Sequence, residues 1–383
     1  MKKMISDEWR TNFSKEEDLY IEVKSMCRKD EWMTYPVNSL RVISLENDRL
    51  DSAHRNFQEH RYCCGEDTMF DTMQHTSLAL ASAAPFVYPL RNTAIRTLLE
   101  RAKISGNSLA KLPKEQLAQV VNYCLQLYPN AQALVLIRGE KICAVHSGSD
   151  SYYSILPADQ LLERVKAMLD QRFPKHNFWG ANMNHSLLTA AWTLPEQKSK
   201  LIDTYFDSNE VDAMPVIRFS TSDVGISSAR LDAIMQITSK LSGTKIPMLL
   251  GDCLSLDHRN FATVEDFEAM FLNVFAKFSR SVSELAELQE IWLEYPVNVM
   301  TKVAEKYKFP KKAAAEAIRM FANTRPGTVT AFDVYTALWE IPFLMGENKN
   351  AALEETMARI RKIDWSAFDL PIDTIPLKEE KIS

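Results

Sequence analysis

Glycine is scarce, and the few present fall in none of the patterns that bring backbone onto phosphate. Ten occur in 383 residues. Neither G-x-x-x-x-G-K-[ST] nor G-x-G-x-x-G is found, so the two loops that aim backbone N–H groups at phosphates are missing. This removes the basis for a P-loop ATPase or a Rossmann dinucleotide enzyme. No H-E-x-x-H, C-x-x-C or G-x-S-x-G is found either, which excludes the common zinc-protease, redox and serine-hydrolase signatures. Clustered positive charge is also missing. A net charge of -5 and a pI near 5.9 leave no whole-surface attraction for a polyanion, although a local basic groove stays open.

No apolar run approaches the roughly 18 residues of a membrane span. Lys2 and Lys3 are followed by Ile5-Ser6-Asp7-Glu8, where a secretory leader needs an apolar stretch. The expectation is a cytoplasmic protein with no membrane partner. Six cysteines, Cys27, Cys63, Cys64, Cys124, Cys143 and Cys253, show no paired spacing and fit free thiols in a reducing compartment.

The remaining composition, 46% hydrophobic and 25% charged, is that of a globular chain long enough for two or three domains. Residues 1–60 are polar, with Glu16, Glu17, Asp18 and Glu22 in an acidic run, and read as an N-terminal arm. Helical spacing follows in Ile95, Leu98, Leu99 and Ala102, and again in Leu117, Val121, Cys124 and Tyr128. Two apolar runs flank Arg138-Gly139-Glu140-Lys141 and predict a β-hairpin. A helix with Leu161, Val165, Met168 and Leu169 on one face then runs from Pro157 to Pro174.

Strands are predicted over His185 to Thr193, Met214 to Ser222 and Leu249 to Leu256, and Arg230 to Thr238 is ambiguous. Thr263 caps an unbroken helix carrying Phe267, Met270, Phe271, Val274, Phe275 and Phe278. Helical patterns between Leu285 and Trp339, punctuated by Pro296, Pro310 and Pro326, predict a bundle of short hairpins. The order predicts an α+β fold, a mixed or antiparallel sheet core packed with helices plus a C-terminal helical domain. The boundaries read as an arm over 1–60, a core over 61–280, helices over 281–365 and a tail over 366–383.

The candidate working surface is a polar sheet edge of Arg138, Lys141, Arg218, Ser220, Thr221 and Ser222, continued by Tyr152 and Tyr153. Arginine and hydroxyls hold phosphate oxygens, and tyrosines stack unpaired bases. The competing reading of Ser220-Thr221-Ser222-Asp223 before Gly225 is an ordinary turn. His54, His60, Cys63, Cys64 and His75 are metal-ligand types, but their spacing matches no closed tetrahedral site, so neither metal nor cofactor is expected. Asp207, Glu210 and Asp212 are a weak Mg²⁺ set with no lysine partner.

Several segments together resemble the phage/plasmid-like family of uncharacterised proteins, domain of unknown function 932. They are Ile104-Ser105-Gly106 through Leu112-Pro113, Leu136 to Gly139, Ala144 to Ser147, Tyr152 to Ile155, Pro215 to Phe219, Ser222 to Gly225, Leu256 to Asn260 and the Thr328 to Trp339 helix. Lys240-Leu241-Ser242-Gly243 departs from the Cys-x-Asn-Gly turn common in that family. The resemblance implies a mobile-element setting and assigns no catalytic residue. The functional expectation is a non-catalytic protein that binds or anneals single-stranded nucleic acid. The alternatives are a module that binds a host protein to counter a defence or restriction system, and a Mg²⁺-dependent nuclease. Self-association stays open.

Overall fold

The computed structural model describes residues 4–45, 62–82, 87–149, 151–207, 211–250, 254–271, 273–324, 328–345 and 351–371. The fold is α+β, and the strand pairings given below are antiparallel. Two compact units share the chain discontinuously. The first takes residues 1–192, 218–231 and 254–272, and the second takes 193–217, 232–253 and 273–383. The Ala213–Thr221 and Ala229–Thr238 strands therefore each begin in one unit and end in the other.

In the first unit the hairpin forms as its pattern requires, with strands Gln132–Arg138 and Lys141–Ser147 around a turn in which Gly139 sits at φ +64. The residues expected to form an arm supply its third strand. Asp30–Pro36 pairs with the hairpin in the register Asp30↔Arg138 and Tyr35↔Ala133. The acidic run is the start of a helix, Glu16–Cys27, whose Leu19, Val23 and Met26 are buried. Carboxylates in a first turn complement the helix dipole, so an acidic run with apolar residues at i, i+4 and i+7 folds.

The Lys141–Ser147 strand lies at the margin of its sheet, and side chains of the Asn92–Arg101 helix meet its unpaired backbone. The Val145 N–H donates to Thr97 Oγ1 (2.8 Å), and Thr93 Oγ1 donates to the Cys143 carbonyl (2.8 Å). This covers the edge and satisfies its polar groups. A second small sheet joins Arg41–Ser44, Leu78–Ala81 and Val87–Pro89. The Lys114–Gln126 helix closes it, with Asn122 bonding both the N–H and the carbonyl of Val42 (2.7 and 2.9 Å). Leu80, Leu98, Val121, Leu125, Val135 and Val145 meet in one core.

The remaining strands of this unit include Arg10–Phe13 paired with Asn177–Asn184, and the start of Ala229–Thr238 paired with Leu254–Leu256. Arg230 to Thr238 is thus a strand. Thr263 does cap a helix, reciprocally with Asp266 (3.1 and 2.9 Å), but that helix ends at Phe271 and a second runs over Val274–Ala286. The unbroken stripe is two helices.

The second unit carries the C-terminal helices Pro296–Lys306, Lys311–Thr324 and Ala331–Leu338, packed around Phe278, Met300, Phe321, Tyr335, Trp339 and Trp365. Thr330 and Asp333 form a capping box at the last of these. Burial pushes the Tyr335 phenol up to about 12. The five described cysteines are free thiols. Among the described residues no helix is long and apolar enough to cross a membrane.

Candidate functional site

The hairpin turn places Arg138 and Lys141 side by side, and tertiary structure buries both. Arg138 is 2% exposed and forms a two-pronged ion pair with Asp30 (Nε–Oδ1 2.6 Å, Nη2–Oδ2 2.7 Å), while the same Nη2 reaches Asp223 Oδ2 at 2.7 Å. Burial opposes its charge, but the two carboxylates more than compensate, and the guanidinium stays protonated far above its ordinary range. Two acids share one base, so burial together with the nearby Asp223 raises the Asp30 carboxyl despite Arg138. Lys141 donates to Asp7 Oδ1 (3.0 Å) and to Asp71. Neither cation forms the exposed edge expected of it, because each is neutralised by carboxylates from distant segments.

Asp223 also organises a stack of rings. His146 Nε2 and Tyr153 Oη both donate to the Asp223 carbonyl, at 2.8 and 2.9 Å. The His146 and Tyr153 rings lie 3.6 Å apart and nearly parallel, with His258 stacked on Tyr153 at 5.5 Å and Trp32 at 5.8 Å from it. Burial pushes the His146 imidazole down to about 4 and lowers His258, so both are neutral rings near pH 7. Burial, with Asp223 nearby, holds the Tyr153 phenol well above its usual value. Arg138, His146, Tyr153, Asp223 and His258 come from five of the motif segments read above, and they meet here.

The turn after Ser222 follows from local chemistry. Ser222 Oγ accepts from the N–H groups of Val224 (3.4 Å) and Ile226 (3.2 Å), and Gly225 stands at φ +72, where a Cβ would be strained and lie tight against Arg96 Nη2 (3.3 Å) and His146 Cε1 (3.4 Å). Ser220, Thr221 and Ser222 are buried and Arg218 is half-buried, so the hydroxyl run is a turn and a strand end.

What this base displays to solvent is aromatic. The loop of Ser151 to Ile155 and the loop of Asp257 to Thr263 are joined by two backbone bonds, Ser154 N–H to the His258 carbonyl (2.9 Å) and Asn260 N–H to the Ser151 carbonyl (3.1 Å). Tyr152 on the first is 74% exposed and Phe261 on the second 67%. Asn260 and Phe261 both have positive φ, +58 and +60, a conformation that costs a bulky side chain energy and that collects at functional sites. Arg259 beside them is exposed and bonds Asp257 (3.0 Å), and Arg96 is half exposed beside Gly225. Tyr152 is thus the expected residue that stays on the surface. Arg259 falls within the Leu256 to Asn260 segment without being read as a site residue, and Phe261 lies outside every segment singled out, since an isolated phenylalanine after a strand carries no periodicity.

The remaining candidates lie apart. His54, His60 and Glu210 fall outside the described residues. Burial pushes the Cys64 thiol up to about 12, and His75 Nδ1 lies 2.7 Å from the Asp71 carbonyl. In the second unit, Asp212 accepts from Thr238 Oγ1 (2.7 Å) and lies 4.0 Å from Lys198, and Asp207 belongs to the same unit. Among the described residues no three His, Cys, Asp or Glu side chains gather where they could hold a metal ion. Comparison with protein-family models, with curated proteins and with solved structures finds no match for the chain.

Proposed function

We propose that the chain binds single-stranded nucleic acid without catalysing a reaction on it, stacking bases on Tyr152 and Phe261 and placing phosphates against Arg259 and Arg96. The observation that carries this reading is the loop pair itself, which holds two large exposed rings on a buried base of stacked side chains, one of them at a strained backbone position. Every base has a π-face, so such a platform accepts any sequence, at about 1–3 kcal/mol per stacked base. A duplex keeps its bases stacked on each other and gives the platform nothing to hold. The mobile-element setting implied by the resemblance belongs to this proposal.

With an acidic chain, phosphate contacts are few. Two arginines give a salt slope of about -1.4 in log K against log salt, from roughly -0.7 per phosphate on a single strand. The test is a fluorescence-polarisation titration with labelled single- and double-stranded oligonucleotides at low and moderate salt. Selective single-strand binding with that shallow slope, lost in a Tyr152→Ala/Phe261→Ala double variant, supports the proposal. No binding at low salt rejects it.

A second reading, capture of a host protein, is favoured by Trp292 and Leu370 of the second unit, which are 67% and 52% exposed. It predicts co-purification with a partner that Trp292→Ala releases.

A further inference from the structure

Charge is sorted by sign along one stretch of the second unit. Glu287, Glu290 and Glu294 precede the Pro296–Lys306 helix, while Lys302, Lys306, Lys308, Lys311 and Lys312 fill its last turns and the start of the Lys311–Thr324 helix. All are exposed except Lys302, which is half-buried. None forms an ion pair with a described residue, although Arg319 pairs with Glu316 and Lys362 with Glu284 in the same unit. Glu305 is the single carboxylate among the lysines. Lys311 and Lys312 also stand in the first turn of their helix, where the dipole disfavours cations. Local structure therefore gives these lysines no reason to be there.

Between the acidic and basic ends the helix displays a narrow outer face. Pro296, Val299, Met300, Val303 and Ala304 take its buried side, which leaves Tyr295, Asn298, Lys302 and Lys306 on the other at i, i+3, i+7 and i+11. Leu370 is held beside the middle of this stripe, where its carbonyl accepts from Asn298 Nδ2 (3.1 Å). Asp369 fixes the approach by accepting from the N–H groups of Glu294 (2.8 Å) and Tyr295 (2.7 Å). Leu370 is 52% exposed, and Trp292 ahead of the helix is 67% exposed. Bared apolar groups beside charges of both signs have the composition of a protein interface.

The order of the charges selects the occupant. A nucleic acid or an anionic lipid surface would meet the lysines and be repelled by the three glutamates. A protein face with the opposite order is required, and this same face turned end for end supplies it. We propose that it is a two-fold interface between two copies of the chain, with their Pro296–Lys306 helices antiparallel. Each contact then occurs twice. Glu294 of each copy meets Lys306 of the other, and the two Leu370 side chains meet near the axis, giving an apolar centre with a charged rim. Trp292 faces the lysine turn of the other copy, where a ring face attracts an ammonium group. A parallel pairing would set like charges together and is disfavoured.

The inference goes beyond strand binding, since every residue it uses lies in the second unit. It gives Trp292 and Leu370 a second copy as partner in place of a host protein, and the mass of the purified chain separates the two. The test is sedimentation equilibrium of the full chain across the micromolar range. The mass should rise with concentration from 43.8 kDa toward twice that value. Raising salt to about 0.5 M should weaken association about tenfold or more, because exposed charges are then screened. Glu290→Lys/Glu294→Lys and Lys306→Glu/Lys308→Glu should each be monomeric with melting temperatures unchanged. Mixed in equal amounts, these two variants should associate again, since each carries the charges the other lost. A merely structural role would not produce that rescue. Leu370→Glu, at the axis, should also be monomeric, and it keeps the test decisive if a charge variant fails to fold. The proposal is overturned if the chain stays at 43.8 kDa at every concentration, if the charge variants and Leu370→Glu still pair, or if the mixed variants remain apart.

Discussion

Two regions of the first unit reverse what their composition suggests. The hairpin turn carries Arg138 and Lys141, the charges most suited to a phosphate backbone, and hides both; the two loops carry Tyr152 and Phe261, among the larger apolar side chains, and expose both. At the hairpin, Asp30, Asp223, Asp7 and Asp71 arrive from four other segments and neutralise the cations in place. At the loops, backbone bonds and the rings of His146, Tyr153 and His258 lie beneath, and among the described residues the tips of Tyr152 and Phe261 stay largely uncovered. Charge in a sequence therefore does not locate a surface; the carboxylates available elsewhere decide.

Three measurements would break or sharpen that contrast. The largest effect is expected at the buried side. Arg138→Ala leaves Asp30 and Asp223 uncompensated, and breaking a buried pair in this way costs about 3–5 kcal/mol. Urea denaturation checks this, and a loss below 1 kcal/mol would place Arg138 at the surface after all.

Next comes acidification. The folded-state pKa of His146 is depressed to about 4 from 6.5, so the stability this ring contributes is complete above pH 6.5 and is lost as pH falls toward 4. The loss is about 3 kcal/mol, near 1.4 kcal/mol per pH unit. His185 adds the same sign down to about 3. Asp30, raised by burial, acts in the opposite sense at the acid end. Denaturation midpoints followed from pH 7 to pH 4 should fall, and His146→Phe should flatten the slope.

The smallest effect on stability belongs to the loops. Tyr152→Ala and Phe261→Ala should each change folding stability by no more than about 0.5 kcal/mol, the usual range for surface changes. Each should still cost about 1–3 kcal/mol in strand affinity. Equal losses in both would mean that these rings pack rather than display.

Local pattern made much of the fold legible. The hairpin, the Ala158–Arg172 helix, the Thr263 cap and the helices around Pro296 and Pro310 rest on contacts within a few residues, which periodicity and turn chemistry report directly. The Asn177–Asn184 strand was not legible, because asparagine and glycine make up half of it and interrupt the apolar alternation. The break between Phe271 and Val274 was hidden by apolar residues that continue helical spacing across it. Within the candidate site, Tyr152 was readable as a loop aromatic. Its neighbour Tyr153 was not separable from it, since the Asp223 carbonyl that draws it inward lies seventy residues away.

By itself the sequence determined the α+β class, the hairpin, the turn at Ser222 to Gly225 and the absence of the common phosphate-loop and metal signatures, all of which depend on neighbouring residues. Only the tertiary structure decided which charges are buried, which aromatics are displayed, and that Trp9, Asn92 and His185 wall one cavity. Burial is set by what other segments bring to a residue, and complementary groups dozens of positions apart leave no mark in local spacing.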